Sequence, residues 1–451
     1  MRRLALLLLL AAPAARAQDS PVDQVNWRYD EDWSAIAGKD PASLPGWTKA
    51  KYIPLDADGD VWLSTGLEAR ARHEGYTGNE WGSADAPDDG ATWVRLMPHA
   101  ELHAGPVRAF VQGIAGYALG LRPDKGPSDE TGIDLLQGFA DARLPIGPAT
   151  LTLRGGRELV ALGSERLVGV RYGPNIPQPF DGVRAIADMG KLRVQLLRLR
   201  PVVIGLGDFD DRTSDTRRLS GVYATLHAGR GALDAYWLAY ENDHARFDQG
   251  GGAEHRDTWG LRFAGKRAGL SWNWEAMLQR GRFAGAPIRA WSMATETGYR
   301  VGRASVRLRA NVVSGDKDRH DPALQAFDPM FPKGKYFGEL SPLGPYNLMN
   351  LHPTIAYDLT PRLTLSATGI AYWRQSRGDG IYGLPGNLIR SGANSRARHI
   401  GDQGELLLEW APTPLLSFTA SWSCFTAGRF IRETGPAKTI HMIGLEAQFR
   451  L

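Results

Sequence analysis

The chain has 451 residues, among them 53 glycines, 28 prolines and a single cysteine, Cys424. One cysteine cannot form an intrachain disulfide, so the fold must be stable without one. The formal net charge of +4 includes Arg2, Arg3 and Arg16 of a predicted leader, and removing these three charges leaves +1. Overall charge therefore gives no reason to predict a nucleic acid or another polyanion as a partner, and any such prediction needs charges at particular positions.

Residues 1–17 predict a secretory signal peptide. Two arginines precede a short apolar run at residues 4–12 and a small-residue cleavage site at residues 15–17. The apolar run is too short to span a bilayer, and no other stretch has about 18 uninterrupted apolar residues, which excludes a helical membrane protein. The mature chain is expected to be exported, with residues 18–60 forming a periplasmic N-terminal segment.

From residue 61 to residue 451 the sequence alternates between apolar and polar residues in eighteen segments, which predicts eighteen β-strands. The last segment shows the pattern: Ile443 and Leu445 share one face of a strand, and Glu446 and Gln448 share the other. The predicted strands lie near residues 61–73, 92–103, 107–117, 134–144, 149–158, 180–188, 191–200, 220–228, 232–241, 256–265, 269–280, 288–299, 304–313, 353–359, 363–374, 402–411, 415–425 and 439–451.

The connections between these strands alternate in length. Short turns follow the even-numbered strands, and longer connections follow the odd-numbered ones. This pattern is typical of an up-and-down barrel with turns on the periplasmic rim and loops on the outer rim. The longer connections are residues 74–91, 118–133, 159–179, 201–219, 242–255, 314–352 and 375–401, of which 159–179, 314–352 and 375–401 are the most prominent.

The two faces of the strands predict the medium that each face meets. The face predicted to point inward is charged along most strands and could not fill a dry core, whereas lipid outside and water inside would satisfy both faces. We therefore predict an all-β fold: a transmembrane up-and-down antiparallel β-barrel of about 18 strands, wide enough for an aqueous channel. Aromatic residues predicted to form interfacial belts are Trp62, Trp237, Trp259, Trp291, Tyr299, Tyr357, Trp373 and Trp410.

Arginine is the cation of the predicted inner face. None of the ten lysines falls in an inward strand position, whereas the inward arginines include Arg70, Arg95, Arg154, Arg184, Arg307 and Arg309. The guanidinium group binds carboxylates through paired hydrogen bonds and stays charged at any working pH, so such a lining favours passage of carboxylate-bearing anions. The alternative is that these arginines pair with lumenal acids and hold the wall in place.

Two stretches resemble the bacterial alginate-export family of outer-membrane porins: LGSERLVGVRYGPNIPQPFDGVR at residues 162–184 and SGDKDRHDPALQAFDPMFPKGKYFGELSPLGPYNLMNLHP at residues 314–353. The resemblance implies a monomeric barrel in the outer membrane of a Gram-negative cell. It also implies an arginine-rich pore that exports an anionic exopolysaccharide without a cofactor. Arg166, Arg171 and Arg184 lie in the first stretch and are expected to act as pore or loop cations.

The predicted loop 314–352 is expected to fold over or into the outer mouth, because it is long, aromatic and rich in proline. Lys333 and Lys335 could offer charges to a polymer, and Tyr336 and Phe337 would accompany them in a lid. The alternative is a structural plug that stabilises the neighbouring loops. We find no catalytic motif and predict no metal site, so the chain is not expected to be an enzyme.

The sequence thus favours a channel that exports an alginate-like polyuronate. A diffusion or uptake porin for small anions or oligouronates is the alternative. The expected partners are an acidic polysaccharide or small anions and the lipid of the outer membrane, and periplasmic export machinery stays open as a further partner.

Overall fold

The computed structural model describes residues 20–84 and 86–451, so the predicted signal peptide lies outside the described residues. The fold is the predicted one: eighteen antiparallel strands form one closed sheet, which confirms the β-barrel. Each strand pairs with the next along the chain, and the last strand pairs with the first through Glu68 opposite Arg450. Closure leaves the sheet without a free edge. In the described part of the chain, no helix has the length and apolar character needed to cross a membrane.

We number the barrel strands β1 to β18. They are β1 Val61–Thr77, β2 Gly90–Ala104, β3 Val107–Leu119, β4 Gly132–Ile146, β5 Ala149–Leu159, β6 Pro179–Met189, β7 Leu192–Val203, β8 Arg217–Ala228, β9 Gly231–Phe247, β10 Gly250–Arg267, β11 Leu270–Phe283, β12 Ala286–Val301, β13 Ala304–Val313, β14 Leu348–Thr360, β15 Leu363–Arg374, β16 His399–Thr413, β17 Leu416–Ala427 and β18 Ile440–Arg450. The remaining described elements are short: strands Ile53–Pro54, Arg212–Thr213, Ile381–Tyr382 and Leu388–Arg390, the helix Arg429–Thr434, and 3₁₀ turns at Trp33–Ile36, Pro41–Ser43, Gly46–Ala50, Asn79–Trp81 and Gly392–Asn394.

The outer face of the barrel is apolar, as the alternation predicts. On β18, Ile443 and Leu445 are exposed on the outside, whereas Met442 and Gln448 are buried inside. Among the predicted belt aromatics, Trp237, Trp259, Tyr299, Tyr357 and Trp410 are exposed.

The prediction for Trp62 is wrong. Its side chain is buried and stacks on His103, with the two ring centroids 3.8 Å apart. Trp62 shares its face of β1 with Ser64 and Glu68, which are also buried, so it belongs to the inside of the barrel. A tryptophan can line either face of a barrel strand, and here an N-terminal segment packs over it.

The two rims of the barrel differ in the length of their connections. Every even-numbered strand from β2 to β16 is followed by a turn of two residues, which defines the short-turn rim. The opposite, long-loop rim carries residues 160–178, 314–347 and 375–398. The predicted loop 242–255 is wrong: β9 and β10 continue to Phe247 and Gly250 and are joined by a two-residue turn.

Three segments of the chain enter the barrel and fill much of its inside. From the long-loop rim, residues 160–178 and 314–347 fold inward and meet where Val168 bridges Phe331. Their apolar side chains join buried residues of the strands in one hydrophobic cluster, so this half of the barrel is packed rather than open. From the short-turn rim, residues 20–60 pack on the inner side of β1 to β5, and we call them the inner segment.

The inner segment is held by buried aromatic and charged groups. Tyr29 packs edge-on against Phe110 and Phe139, with ring centroids 6.0 and 5.2 Å away, and its hydroxyl donates to the Leu159 carbonyl at 2.6 Å. Arg28 donates to the Leu451 carbonyl at 2.8 Å. These contacts fix the segment to both β5 and the end of the barrel sequence.

Candidate functional site

Where residues 314–347 approach β11 to β13, four cations surround two carboxylates. Arg166 donates to Glu275 at 2.7 Å, and Arg309 donates to Glu296 at 2.7 Å. Arg307 lies 3.9 Å from Glu296, which is at the limit of an ion pair. Lys333 completes the group, which we call the Lys333 cluster: Arg166, Arg307, Arg309 and Lys333 with Glu275 and Glu296.

Two cations of the Lys333 cluster face water, and the carboxylates of Glu165 and Glu409 also attract Lys333 and Arg307. The Arg307 and Arg309 side chains are 43% and 25% exposed, so both remain accessible to a solute in the bore. In the described part of the chain, Lys333 has no carboxylate within ion-pair distance. Burial and the positive charges of Arg309 and Arg166 lower the pKa of Lys333 to about 8. An anion entering here would meet cations that the protein neutralises only in part.

A second group of charges, beside β1 and β18, is balanced. Arg72 pairs with Glu74 and lies 3.9 Å from Glu339. Lys335 pairs with Glu339 and lies 4.0 Å from Glu446. Lys335 is therefore paired with a carboxylate, whereas Lys333 has none within ion-pair distance in the described residues.

Two of the predicted pore arginines hold a loop. Arg70 donates to the carbonyls of Tyr172, Gly173 and Pro174, at distances between 2.7 and 3.3 Å. Arg95 donates to three carbonyls of the same loop and also to Glu68 at 2.8 Å. Both side chains are buried, so their guanidinium groups bind protein acceptors and are not accessible to a solute.

The three remaining predicted arginines are also enclosed. Arg154 donates to Asp141 and Glu158, and Arg184 donates to Glu158 at 2.8 Å. Arg171 is largely enclosed in the loop, and burial lowers the pKa of its guanidinium. Among the eight predicted arginines, Arg307 and Arg309 are thus the two that the structure leaves well exposed in the bore.

The aromatic residues predicted for a lid lie inside the barrel. Phe337 is buried against Tyr372, with ring centroids 5.5 Å apart, and Tyr336 packs against Phe337 at 4.7 Å. Asn347, at the end of this loop, donates to the carbonyls of Ser376, Asp379 and Gly380 and so ties it to the neighbouring loop. A loop packed in this way fixes the position of Lys333.

Tyr172 is a residue of the site that was not predicted from the sequence. Tyr172 lies under the guanidinium groups of Arg95 and Arg450, at 4.3 and 5.1 Å from its ring centroid. Arg262 donates to Asp234 and Asn273 on the wall beside the Lys333 cluster. Inward phase along its strand predicts Arg262 as a residue of the inner face, whereas no local pattern marks a loop tyrosine as an arginine partner.

One acidic group has the geometry to hold a metal ion. Carboxylate oxygens of Asp134, Asp210 and Asp211 lie within 4.8 Å of one another beside β4. Each carboxylate also accepts a backbone N–H of the same region: Asp134 from Asp211, Asp210 from Gly207, and Asp211 from Gly205. These hydrogen bonds give the acids a structural role in the 204–216 loop.

Raising the pH from about 7 to about 9 is expected to reduce the anion preference of the wild-type channel, because Lys333 loses its charge while the three arginines keep theirs. The measurement is the reversal potential of a single channel in a KCl gradient. Lys333→Arg stays charged at both pH values and should abolish the pH response. An equal pH response in wild type and Lys333→Arg would contradict the assignment.

Comparisons with known proteins agree with the barrel. The sequence matches the family model described as alginate export over residues 61–444. No curated protein matches the chain.

Among solved structures from Pseudomonas aeruginosa, OccK11 (OpdR) is 14% identical, has a TM-score of 0.55, and matches over 86% of this chain and 96% of that chain. The outer membrane protein OpdK, solved with vanillate, is 14% identical, with a TM-score of 0.58 and coverage of 86% and 98%. OccK2 (OpdF) in complex with glucuronate is 13% identical, with a TM-score of 0.57 and coverage of 89% and 99%. At these identities the likeness shows the fold alone.

The closed barrel, its apolar exterior and its charged bore define a porin-type channel of the outer membrane, a class of transport proteins rather than of enzymes. Since the family model matches most of the chain, the protein belongs to the alginate export family.

Proposed function

We propose that this channel exports an alginate-like polyuronate, and that the Lys333 cluster is the element that selects for carboxylates. The observation that carries the proposal is the pair of exposed arginines, Arg307 and Arg309, which share the single carboxylate of Glu296 on the wall of the bore. In this proposal residues 1–17 direct export and are removed, and the mature protein works as a monomer without a cofactor. The short-turn rim and the inner segment face the periplasm, as is usual for bacterial barrels.

The chemistry of the cluster suits repeated, reversible contacts with carboxylates. Arginine donates paired hydrogen bonds to a carboxylate, and exposed ion pairs are individually weak, so each sugar acid can bind and leave. Conduction requires this balance between entry and release. The export direction would follow the concentration gradient of the polymer.

Uptake of small carboxylates or oligouronates is the second candidate. Two proteins with the same fold have been solved with carboxylate ligands, OpdK with vanillate and OccK2 with glucuronate. The loops packed into the long-loop half also narrow the bore, which favours small solutes. Both candidates use the Lys333 cluster, and they differ in the size of the solute that passes.

Planar-bilayer recording separates the two candidates. If the channel exports a polymer, polymannuronate added on the short-turn side should block the current in discrete events whose duration depends on voltage, and mannuronate monomer should not. A small-solute porin should conduct the monomer and give no polymer events. Wild-type channels that prefer cations and never respond to polymannuronate would rule out the polyuronate proposal. In cells, deletion of the gene should abolish polymer secretion under the export proposal alone.

A further inference from the structure

The short-turn rim carries a run of exposed cations on three successive turns. Arg230 follows β8, Lys266 and Arg267 lie at the turn after β10, and Arg300 and Arg303 flank the turn after β12. We call these five residues the basic arc. Arg300 pairs with Asp358 at 2.6 Å, whereas the other four have no ion-pair partner in the part of the chain that the structure describes.

The basic arc continues into the bore. A cavity of about 840 Å³ is lined by Arg230, Lys266, Arg267 and Arg300 at the rim, and by deeper wall residues that include Arg262 and Arg307. Arg307 belongs to the Lys333 cluster. A path lined by cations therefore leads from the rim to the cluster along one wall.

The opposite side of the same rim is acidic. The inner segment lies on β1 to β5, across the barrel from the turns of the basic arc. Its exposed acids outnumber its exposed lysines, Lys39 and Lys49. These acids are Asp23, Asp30, Asp32, Asp40, Asp56, Asp58 and Asp60. A polyanion approaching this rim would be repelled on one side and attracted on the other.

We propose that the basic arc is a docking surface on which an acidic polysaccharide binds before it enters the bore. The inference rests on the proposed function and adds a binding site outside the Lys333 cluster. Each exposed cation binds one carboxylate weakly and is screened by salt, so only a ligand with several charges gains useful affinity. The prediction that no lysine takes an inward strand position is wrong for Lys266, because β10 continues to Arg267 and Lys266 has the inward phase of Arg262. Arg300 has the inward phase of Glu296, and both cations line the cavity, which favours a solute in the mouth over a lipid headgroup outside it.

The test compares two full-length variants with equal charge change. Arg230→Glu/Lys266→Glu/Arg267→Glu/Arg303→Glu reverses the unpaired part of the basic arc. Arg280→Glu/Arg282→Glu/Lys317→Glu/Arg396→Glu reverses four exposed cations near the long-loop rim. Each protein is placed in a phosphatidylcholine nanodisc, its strand content is checked by circular dichroism, and binding of fluorescent polyguluronate is measured at low salt.

We expect at least about tenfold weaker binding for the basic-arc variant, less than about twofold change for the matched variant, and loss of the difference at about 1 M salt. Equal binding by wild type and the basic-arc variant, or no binding by wild type, would overturn the docking site. If polyguluronate binding depends on the basic arc but the polymer never blocks the current in bilayers, the docking site is supported and the export proposal fails.

A second experiment tests whether the basic arc binds polysaccharide or lipid. The same proteins are extracted from membranes, and the phosphatidylglycerol that copurifies with each is quantified. If the basic-arc variant loses this lipid but binds polyguluronate as wild type does, the arc is a lipid site and the proposal is wrong. Unchanged lipid with weakened polymer binding supports it.

Discussion

Replacing Arg307, Arg309 and Lys333 by glutamate is expected to turn an anion-preferring channel into a cation-preferring one. The triple variant replaces three positive charges of the Lys333 cluster by three negative charges, which changes the net charge of the site by −6. In a wet bore, charges several ångströms apart interact by a fraction of a kcal/mol each, so the summed change predicts a shift of about tenfold or more in the ratio of anion to cation permeability. Reversal potentials in a KCl gradient measure this ratio.

The matched control keeps the three positive charges and changes the shape of the groups that carry them. Arg307→Lys/Arg309→Lys/Lys333→Arg should retain the anion preference, although weaker carboxylate binding is expected where the paired hydrogen bonds of arginine are lost. The prediction would be refuted by a charge-reversal variant that folds and keeps the wild-type selectivity. That result would place the selective element elsewhere, with the Glu339 and Glu446 wall as the next region to examine.

Truncating the anchors of the inner segment is expected to enlarge the conductance several-fold. Tyr29 and Trp33 are buried, and removing large buried aromatic side chains costs about 3–5 kcal/mol each. With Tyr29→Ala/Trp33→Ala, the segment should leave the inner side of β1 to β5 and widen the mouth. Single-channel conductance measures the opening, and limited proteolysis should show new cleavage within residues 20–60 while the barrel stays intact.

Lys39→Ala/Lys49→Ala is the control for this experiment, because both lysines lie exposed on the same segment and anchor nothing. It should leave conductance and protease resistance as in wild type. If the aromatic double variant keeps a protected segment and an unchanged conductance, the inner segment does not limit the mouth.

The wall of the barrel could be predicted from the sequence because lipid imposes a strict rule on it. Outward positions such as Ile443 and Leu445 must be apolar, so the alternation fixes both strand and face. The number of strands and the alternation of turns and loops could be predicted directly from this pattern. Errors arose where the rule does not apply: β9 and β10 extend beyond the apolar band, and Trp62 is covered by another part of the chain.

The inside of the barrel could be predicted only in part. Inward phase placed Arg70 and Arg95 on the inner face of the barrel, but it could not show that their guanidinium groups would donate to loop carbonyls 102 and 80 positions away. Arg307 and Arg309 have the same phase and remain exposed. The difference is set by how the long loops pack, and that depends on long-range contacts that local periodicity does not encode.

The hydrogen bond from Arg28 to the Leu451 carbonyl joins groups 423 residues apart in sequence. The acceptor comes into position only when β18 has paired with β1. Residues that precede the first strand in the sequence therefore reach their final position after the last strand has joined the sheet. Contacts of such high sequence separation form late, because the entropy of closing so long a stretch must first be overcome. Formation of the Arg28 hydrogen bond therefore marks the completion of the barrel, and a barrel that stops folding before closure would leave the inner segment open to proteolysis.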